Sequence, residues 1–399
     1  MRVIAIGDIG VTDGMMHIGD EAMFGALVDE LRARGVEEIT ALSAAPAETA
    51  ARYGVDAMPR IGFPAGRSEG AARFAAVRAA ISGDRPFPDD PFWSVRDAVS
   101  GADAVVVAGG GNMASTWPLH IFERAALALL ARAAGIPFVV TGQTLGPHLS
   151  DDDRAVLAGA LGSARLVGLR ESASGRLARD LGIPAERSAV TLDDASFLGW
   201  EEPAQDAAAS EDLTLVSLST HLGGRDRDAV VRGLAAGLDD LADATGRPTL
   251  FHAHWGSLRP GDVRGDAVLH EAVRERMRTP SRSTPTGDSR SAAALARRAS
   301  LLVSSRYHPV VFAAPAGVPV VALTADDYTT VKLTGALAPW GQHRVVDLDA
   351  AASGSLSRPL RAADASRAET RRTAEARRPA ARDAAVAWWD RVAAAAGAR

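Results

Sequence analysis

Cysteine is absent from the 399 residues, so the chain has no disulfide framework, no thiolate metal site and no cysteine nucleophile. Positive charge is not in excess either. The 44 Lys and Arg stand against 49 Asp and Glu, a formal net charge of −5. That balance argues against a general nucleic-acid binder, because no surplus of cations is available to displace counterions. Aromatic residues are scarce at 5%, and alanine supplies much of the 47% apolar share, so helices rich in small residues are expected. No run approaches the ~20 apolar residues needed to cross a bilayer. The opening Met1 runs straight into the strand-like Arg2-Val-Ile-Ala-Ile-Gly7, without the basic, apolar and small-residue parts of a signal sequence. These absences lead to the expectation of a soluble, cytoplasmic protein.

What is present is a regular alternation of short apolar runs with longer stretches of helical period, the pattern of a mostly parallel sheet covered by helices. The length suits two domains. Strands are expected near residues 3–7, 39–43, 104–108, 137–141 and 164–169 in the first half, and near 213–218, 249–253, 301–304 and 318–323 in the second. The expected organisation is α/β: a Rossmann-like domain over 1–199, a linker over 200–212, where Glu-Glu-Pro-Ala-Gln-Asp carries no core pattern, and a second Rossmann-like domain over 213–350. An Ala- and Arg-rich C-terminal segment, 351–399, with Trp388 and Trp389, reads as a helix packed back on the body. The Pro- and aromatic-rich segment 61–97 interrupts the alternation and reads as a lid or a peripheral insertion.

In parallel α/β sheets ligands collect at the carboxyl ends of strands, so the loops there carry the candidates. Ser305-Arg306-Tyr307-His308-Pro309 joins a buried strand to a helix, and Pro309 suits the first helical position. Arg306, His308 and the amides of that first turn would converge on an anion; an ordinary strand-to-helix connection reads the same way. Gly19-Asp20-Glu21 opens a helix, where Asp20 either caps the helix or, like Glu21, serves as a base on a hydroxyl. Gly109-Gly110-Gly111-Asn112 can offer backbone amides to a phosphate or a sugar hydroxyl. Gln143 has both a donor and an acceptor for a polyhydroxylated ligand. Arg170 ends another strand, where it either reaches a ligand or pairs with Glu171 at the surface. His252-Ala253-His254-Trp255 places two imidazoles on one strand face. Without companion ligands, this reads as His254 lining a binding cleft rather than holding a metal. Lys332 puts an ammonium just after a further strand.

Taken in order, Gly19-Asp20-Glu21, Gly109-Gly-Gly-Asn112, Gly142-Gln143-x-x-Gly146-Pro147, Arg170-Glu171-x-Ser, Ser305-Arg306-Tyr307-His308, Gly317-Val-Pro319 and Asp327-Tyr328-Thr-Thr-Val-Lys332 resemble the polysaccharide pyruvyl transferase family. The resemblance implies two domains similar to the GT-B glycosyltransferases. It also implies phosphoenolpyruvate bound in the interdomain cleft and transfer of its pyruvyl group to a sugar or glycan as a ketal. It associates Arg170, Arg306 and His308 with the donor. On the chemistry of that reaction His308 is the candidate general acid, and Asp20 or Glu21 the candidate activator of the acceptor hydroxyl. Arg170, Arg306 and Lys332 would stabilise the leaving phosphate, and Gly109, Gly110, Gly111, Asn112, Gln143, His254 and Ser305 would contact substrate. No cofactor and no metal are expected. The long Met- and Asp-rich first loop and His252-Ala253-His254-Trp255 depart from the family pattern, and both lie where an acceptor would sit. A nucleotide-sugar-dependent glycosyltransferase, or a catalytically silent carbohydrate-binding protein of the same fold, would leave much of the same sequence signature.

Overall fold

The short apolar runs become parallel strands in two separate sheets, as seen in a computed structural model that describes residues 1–200 and 211–398. The chain divides into two units. The first contains residues 1–12, 23–194 and 383–399, and the second residues 13–22 and 195–382. The expected linker 200–212 falls largely outside the described residues.

The sheet of the first unit runs, from edge to edge, Asp56–Pro59, Glu38–Ser43, Arg2–Ile6, Ala104–Val107, Phe138–Leu145, Leu166–Leu169 and Ser188–Val190, with Gly110–Met113 pairing off the Phe138–Leu145 strand. All its strand pairs are parallel. Both faces are buried, which is why the strands read as unbroken apolar runs rather than as alternating ones. Ile4, Ile6, Val105, Val107 and Val140 enter one core cluster. Val3, Ala5, Ala104, Val106 and Val139 enter the other, together with Trp388, Trp389 and Val392 from the last helix, Arg367–Ala396. The seat of Trp388 depends on a missing side chain: a Cβ on Gly168 would come within 2.3 Å of its ring.

Segment 61–97 is largely helical, with Arg67–Ile81 and the start of Pro91–Ser100. Asp90 caps the second helix by accepting from the Phe92 amide, and Pro91 takes its first position. Phe63, Phe74, Phe87 and Trp93 pack against the same core. Of the prolines that make the segment look irregular, Pro91 begins a helix.

The second unit carries a parallel sheet in the order Ser281–Thr284, Thr249–His252, Glu211–Ser217, Ala299–Ser304, Val320–Thr324 and Val345–Asp347. A two-stranded antiparallel ribbon adds Met15–His17 to Trp255–Ser257, with His17 opposite Trp255. This pairing is why residues 13–22, early in the chain, belong to the second unit. The direction of strand addition reverses between Glu211–Ser217 and Ala299–Ser304, the crevice where ligands gather in such sheets. Among the described residues no helix is long and apolar enough to cross a membrane.

The Gly168–Trp388 contact can be tested by mutation. Trp388→Ala should cost about 3–5 kcal/mol in urea unfolding. Gly168→Ala should destabilise the wild type but cost little in the Trp388→Ala background, because the two share one volume.

Candidate functional site

At the reversal point of the second sheet, the Ala299–Ser304 strand hands over to the helix Tyr307–Ala313, with Arg306 at the cap position. The helix begins two residues earlier than the proline suggests, so Pro309 is its third residue rather than its first. It still lies in the turn whose amides have no intrahelical partner. Serines fix the junction. Ser305 donates its amide to the Ser217 carbonyl at 3.0 Å, and its hydroxyl accepts from the Ser219 amide at 2.7 Å. Ser304 Oγ accepts from the Arg306 amide at 3.0 Å.

Arg306 is gripped by a residue that sequence reading missed. Its Nε donates to Asp266 Oδ2 at 2.8 Å and its Nη2 donates to Oδ1, a two-pronged guanidinium–carboxylate pair. Asp266 is fully buried and also accepts the Trp255 amide at 2.9 Å. Nothing in the run Gly265-Asp266-Ala267 distinguishes this aspartate from an ordinary loop residue; only the fold places it under Arg306.

His308 rests against the backbone of Gly19, where a Cβ would lie 1.8 Å from its Nδ1. The glycine of Gly19-Asp20-Glu21 therefore provides the space for this imidazole. Asp20 is the third residue of the helix Ile18–Arg32, not its cap, and its Oδ2 lies 3.1 Å from His17 Nδ1. Glu21 is buried and Asp20 half-buried, so Asp20 is the more accessible of the two carboxylates. Lys332, the single lysine of the sequence, donates to the Tyr328 hydroxyl at 2.9 Å and lies over the rings of Tyr328 and Tyr307. Tyr307 in turn meets His308 edge-on, with ring centroids 5.1 Å apart.

Three further histidines of this unit, His252, His254 and His270, are buried. His254, expected to line a cleft, is 3% exposed. Burial first, and then the charges of His252, His308, Arg306 and His17, hold its pKa well below the usual value. It is therefore a neutral ring. His252 is pushed down to about 4, first by burial and then by His270. Burial likewise takes His270 to about 4 against the pull of Asp266, and its Nε2 accepts the Leu218 amide at 2.9 Å. No group of His, Asp and Glu among the described residues has metal-binding geometry.

In the first unit the glycine-rich segment is less open than its sequence suggests. Gly110–Met113 pairs as a short strand, and Asn112 is half-buried. A Cβ on Gly109 or Gly142 would lie 2.8 or 2.6 Å from Asp194 Oδ2, so both glycines leave room for a buried carboxyl. Burial, reinforced by the Asp193 charge, raises Asp194 to about 7 against the bond donated by Thr141. Arg170 is buried rather than superficial. Its Nη1 donates to Asp193 Oδ2 at 2.7 Å and its Nε to Thr144 Oγ1 at 2.8 Å, while Glu171 lies 4.0 Å away. Gln143 Nε2 donates to the Ala108 carbonyl at 2.6 Å, and its buried Oε1 has no partner among the described residues. Asp193 and Asp194 follow the short Ser188–Val190 strand, and an acidic pair after a strand is a signal the sequence does offer. The structure thus gathers Asp20, Glu21, His254, Ser305, Arg306, His308 and Lys332 in the second unit, and Gly109, Gly110, Gly111, Asn112, Gln143 and Arg170 in the first.

The buried histidines and Asp194 respond oppositely to pH. Folded His252 and His270 resist protonation that the unfolded chain accepts near pH ~6.5. Their contribution is full above that pH and lost as pH falls toward ~4, on the order of 3 kcal/mol each. Asp194 holds a proton up to about 7 when folded but only to about 4 when unfolded. Its contribution is present in acid and fades as pH rises between those values. Urea unfolding across this range should show the acid-side loss flattened in His270→Gln, and higher stability than wild type above pH ~7 in Asp194→Asn.

Comparison with known proteins gives a family and a fold. The family described as Polysaccharide pyruvyl transferase matches residues 17–327, while no curated protein matches the chain. Among solved structures, UDP-GlcNAc 2-epimerase from Neisseria meningitidis bound to UDP-GlcNAc is similar with a TM-score of 0.61 at 12% identity, over 98% of this chain and 99% of that one. Anabaena HepE in complex with UDP and glucose has a TM-score of 0.58 at 15% identity, over 99% and 98%. A calicheamicin glycosyltransferase gives 0.57 at 15%, again over 99% and 98%. At such identities the likeness establishes the fold alone, and that fold is the GT-B type, as the sequence led us to expect. Because the family match runs through both units and takes in Gly19-Asp20-Glu21 together with Arg306 and His308, the chain belongs to the polysaccharide pyruvyl transferase family.

Proposed function

We propose that the protein transfers the pyruvyl group of phosphoenolpyruvate onto a pair of hydroxyls of a sugar or glycan, forming a cyclic ketal and releasing phosphate. The observation that carries this reading is the seating of His308 on Gly19. It brings a proton donor and an Arg306 cation to the same unit as the Asp20 carboxylate.

In this mechanism His308 protonates the methylene carbon of phosphoenolpyruvate, which becomes the methyl group, and positive character develops at C2. The first sugar hydroxyl adds there and yields its proton to Asp20. The C2–O bond to phosphate then breaks, phosphate leaving with the bonding pair, and the second hydroxyl closes the ketal at C2 and returns a proton to the now neutral His308. Arg306, held by Asp266, and Lys332 oppose the negative charge of the donor's carboxylate and phosphate. In the first unit Arg170, balanced by Asp193, is a further anion-binding candidate. Ser305 acts by holding the loop at Ser219. His254, as a neutral ring, is suited to accept or donate a single hydrogen bond without adding charge.

The UDP-bound neighbours motivate one competing arm, a nucleotide-sugar transferase. Calorimetric titration with phosphoenolpyruvate should show saturable binding. Arg306→Ala should weaken it by at least the ~1.5–3 kcal/mol of a charged hydrogen bond, about 10- to 100-fold. His308→Ala should retain affinity and lose turnover. Gly19→Ala, by displacing the imidazole, should reproduce the His308→Ala phenotype. Wild-type affinity in Arg306→Ala would refute the donor assignment, and turnover of a UDP-sugar without phosphoenolpyruvate would favour the competing reading.

A further inference from the structure

Trp255 is the one aromatic residue among the large hydrophobic side chains left exposed in the described structure, at 37%. The others are valines. An indole facing water forgoes the burial that scarce aromatics usually obtain, so its setting bears on what it does. It is held firmly. Its amide donates to Asp266 Oδ2 at 2.9 Å, and its carbonyl accepts the Asp266 amide at 2.8 Å. Gly265, at φ +62°, lets the chain pass so close to that carbonyl that a Cβ would lie 2.3 Å from it. The same Asp266 grips Arg306, whose guanidinium lies 6.0 Å from the indole centroid. Across the ribbon His17 lies with its ring 6.3 Å away at 34°, and His17 Nδ1 reaches Asp20.

We infer that Trp255 is the platform for the acceptor, a pyranose ring that packs its apolar C–H face on the indole and turns a hydroxyl pair toward His17 and Asp20. This inference rests on the pyruvyl-transfer reading for what happens next, but not for the binding itself. The chemistry matches on each side. A pyranose has one face of C–H bonds, which the negative face of an aromatic ring attracts, and a rim of hydroxyls that needs acceptors and donors. Asp20 supplies an acceptor, and His17 supplies a ring nitrogen of either kind. Asp266 holds Trp255 by its backbone and Arg306 by its side chain, so the platform and the cation keep a constant spacing. That is what ketal formation requires of acceptor and donor. A purely structural indole, serving only as a cover for Arg306, would instead affect donor affinity.

The test uses the full chain and saturation-transfer NMR with a panel of methyl glycosides: gluco-, galacto- and mannopyranosides and the N-acetyl-gluco- and N-acetyl-mannosaminides. At least one should bind the wild type with saturation concentrated on one ring face. Trp255→Ala should weaken it tenfold or more, and Trp255→Phe should stay within threefold. Both variants should keep wild-type affinity for phosphoenolpyruvate and a wild-type melting temperature. The wild-type minus Trp255→Phe fluorescence difference should be quenched by the same glycoside. Equal glycoside binding in Trp255→Ala, binding of none of the panel by the wild type, or parallel loss of phosphoenolpyruvate affinity would each overturn the platform. Trp255-dependent glycoside binding in a protein that ignores phosphoenolpyruvate would leave the platform standing and remove the pyruvyl-donor reading.

Discussion

The carboxylate of Asp266 is the constraint on which the second unit's site depends. It is fully buried, and a buried charge is tolerated only when paired and hydrogen-bonded. Its two oxygens are spent on the Arg306 fork and the Trp255 amide. Loss of either partner would leave it under-satisfied in a place water does not reach, so the three groups hold one another. The arginine loses the freedom of a long side chain before any ligand arrives, and this reduces the ordering cost of binding. The pair also cancels charge locally, which lets a guanidinium stand near the neutral rings of His254 and His270.

Glycines recur in this protein as seats for other side chains. Gly19 makes room for His308, Gly109 and Gly142 for Asp194, and Gly168 for Trp388. In each case a Cβ would fall at or inside contact distance of the group it accommodates. The usual reading of glycine-rich loops stresses turns and exposed amides, yet here the absent methyl group is itself the structural element. At Gly19, Gly109 and Gly142 it brings a titratable group against backbone, where dielectric and access differ from those at the surface. Asp194 shows the consequence, with a carboxyl raised to about 7.

Charge at the second unit is set by burial as much as by residue type. His252, His254 and His270 are kept neutral by desolvation. Arg306 is a permanent cation beside them, and Lys332 stands between two of the chain's three tyrosines. A guanidinium offers a planar fork and an ammonium a compact point charge, which suits a donor carrying both a carboxylate and a phosphate.

The alternation of apolar runs with helical stretches was enough to read two parallel sheets from the sequence, because period and length are local properties. The residues at strand ends followed for the same reason: Arg170, Ser305, Arg306 and His308 stand where a strand stops. The helices of segment 61–97 were not legible because a proline that begins a helix, such as Pro91, looks like one that prevents it. Residues 13–22 joined the second unit only through pairing of Met15–His17 with Trp255–Ser257, a contact no local pattern announces. Asp266 under Arg306, His308 over Gly19, and Asp194 between two glycines are likewise matters of tertiary structure. Each joins positions far apart in the chain, and whether a polar side chain is exposed or buried is decided by what folds over it. The sequence by itself determined the fold class and the chemical character of the strand ends, whereas partners, burial and protonation were settled only when distant segments met.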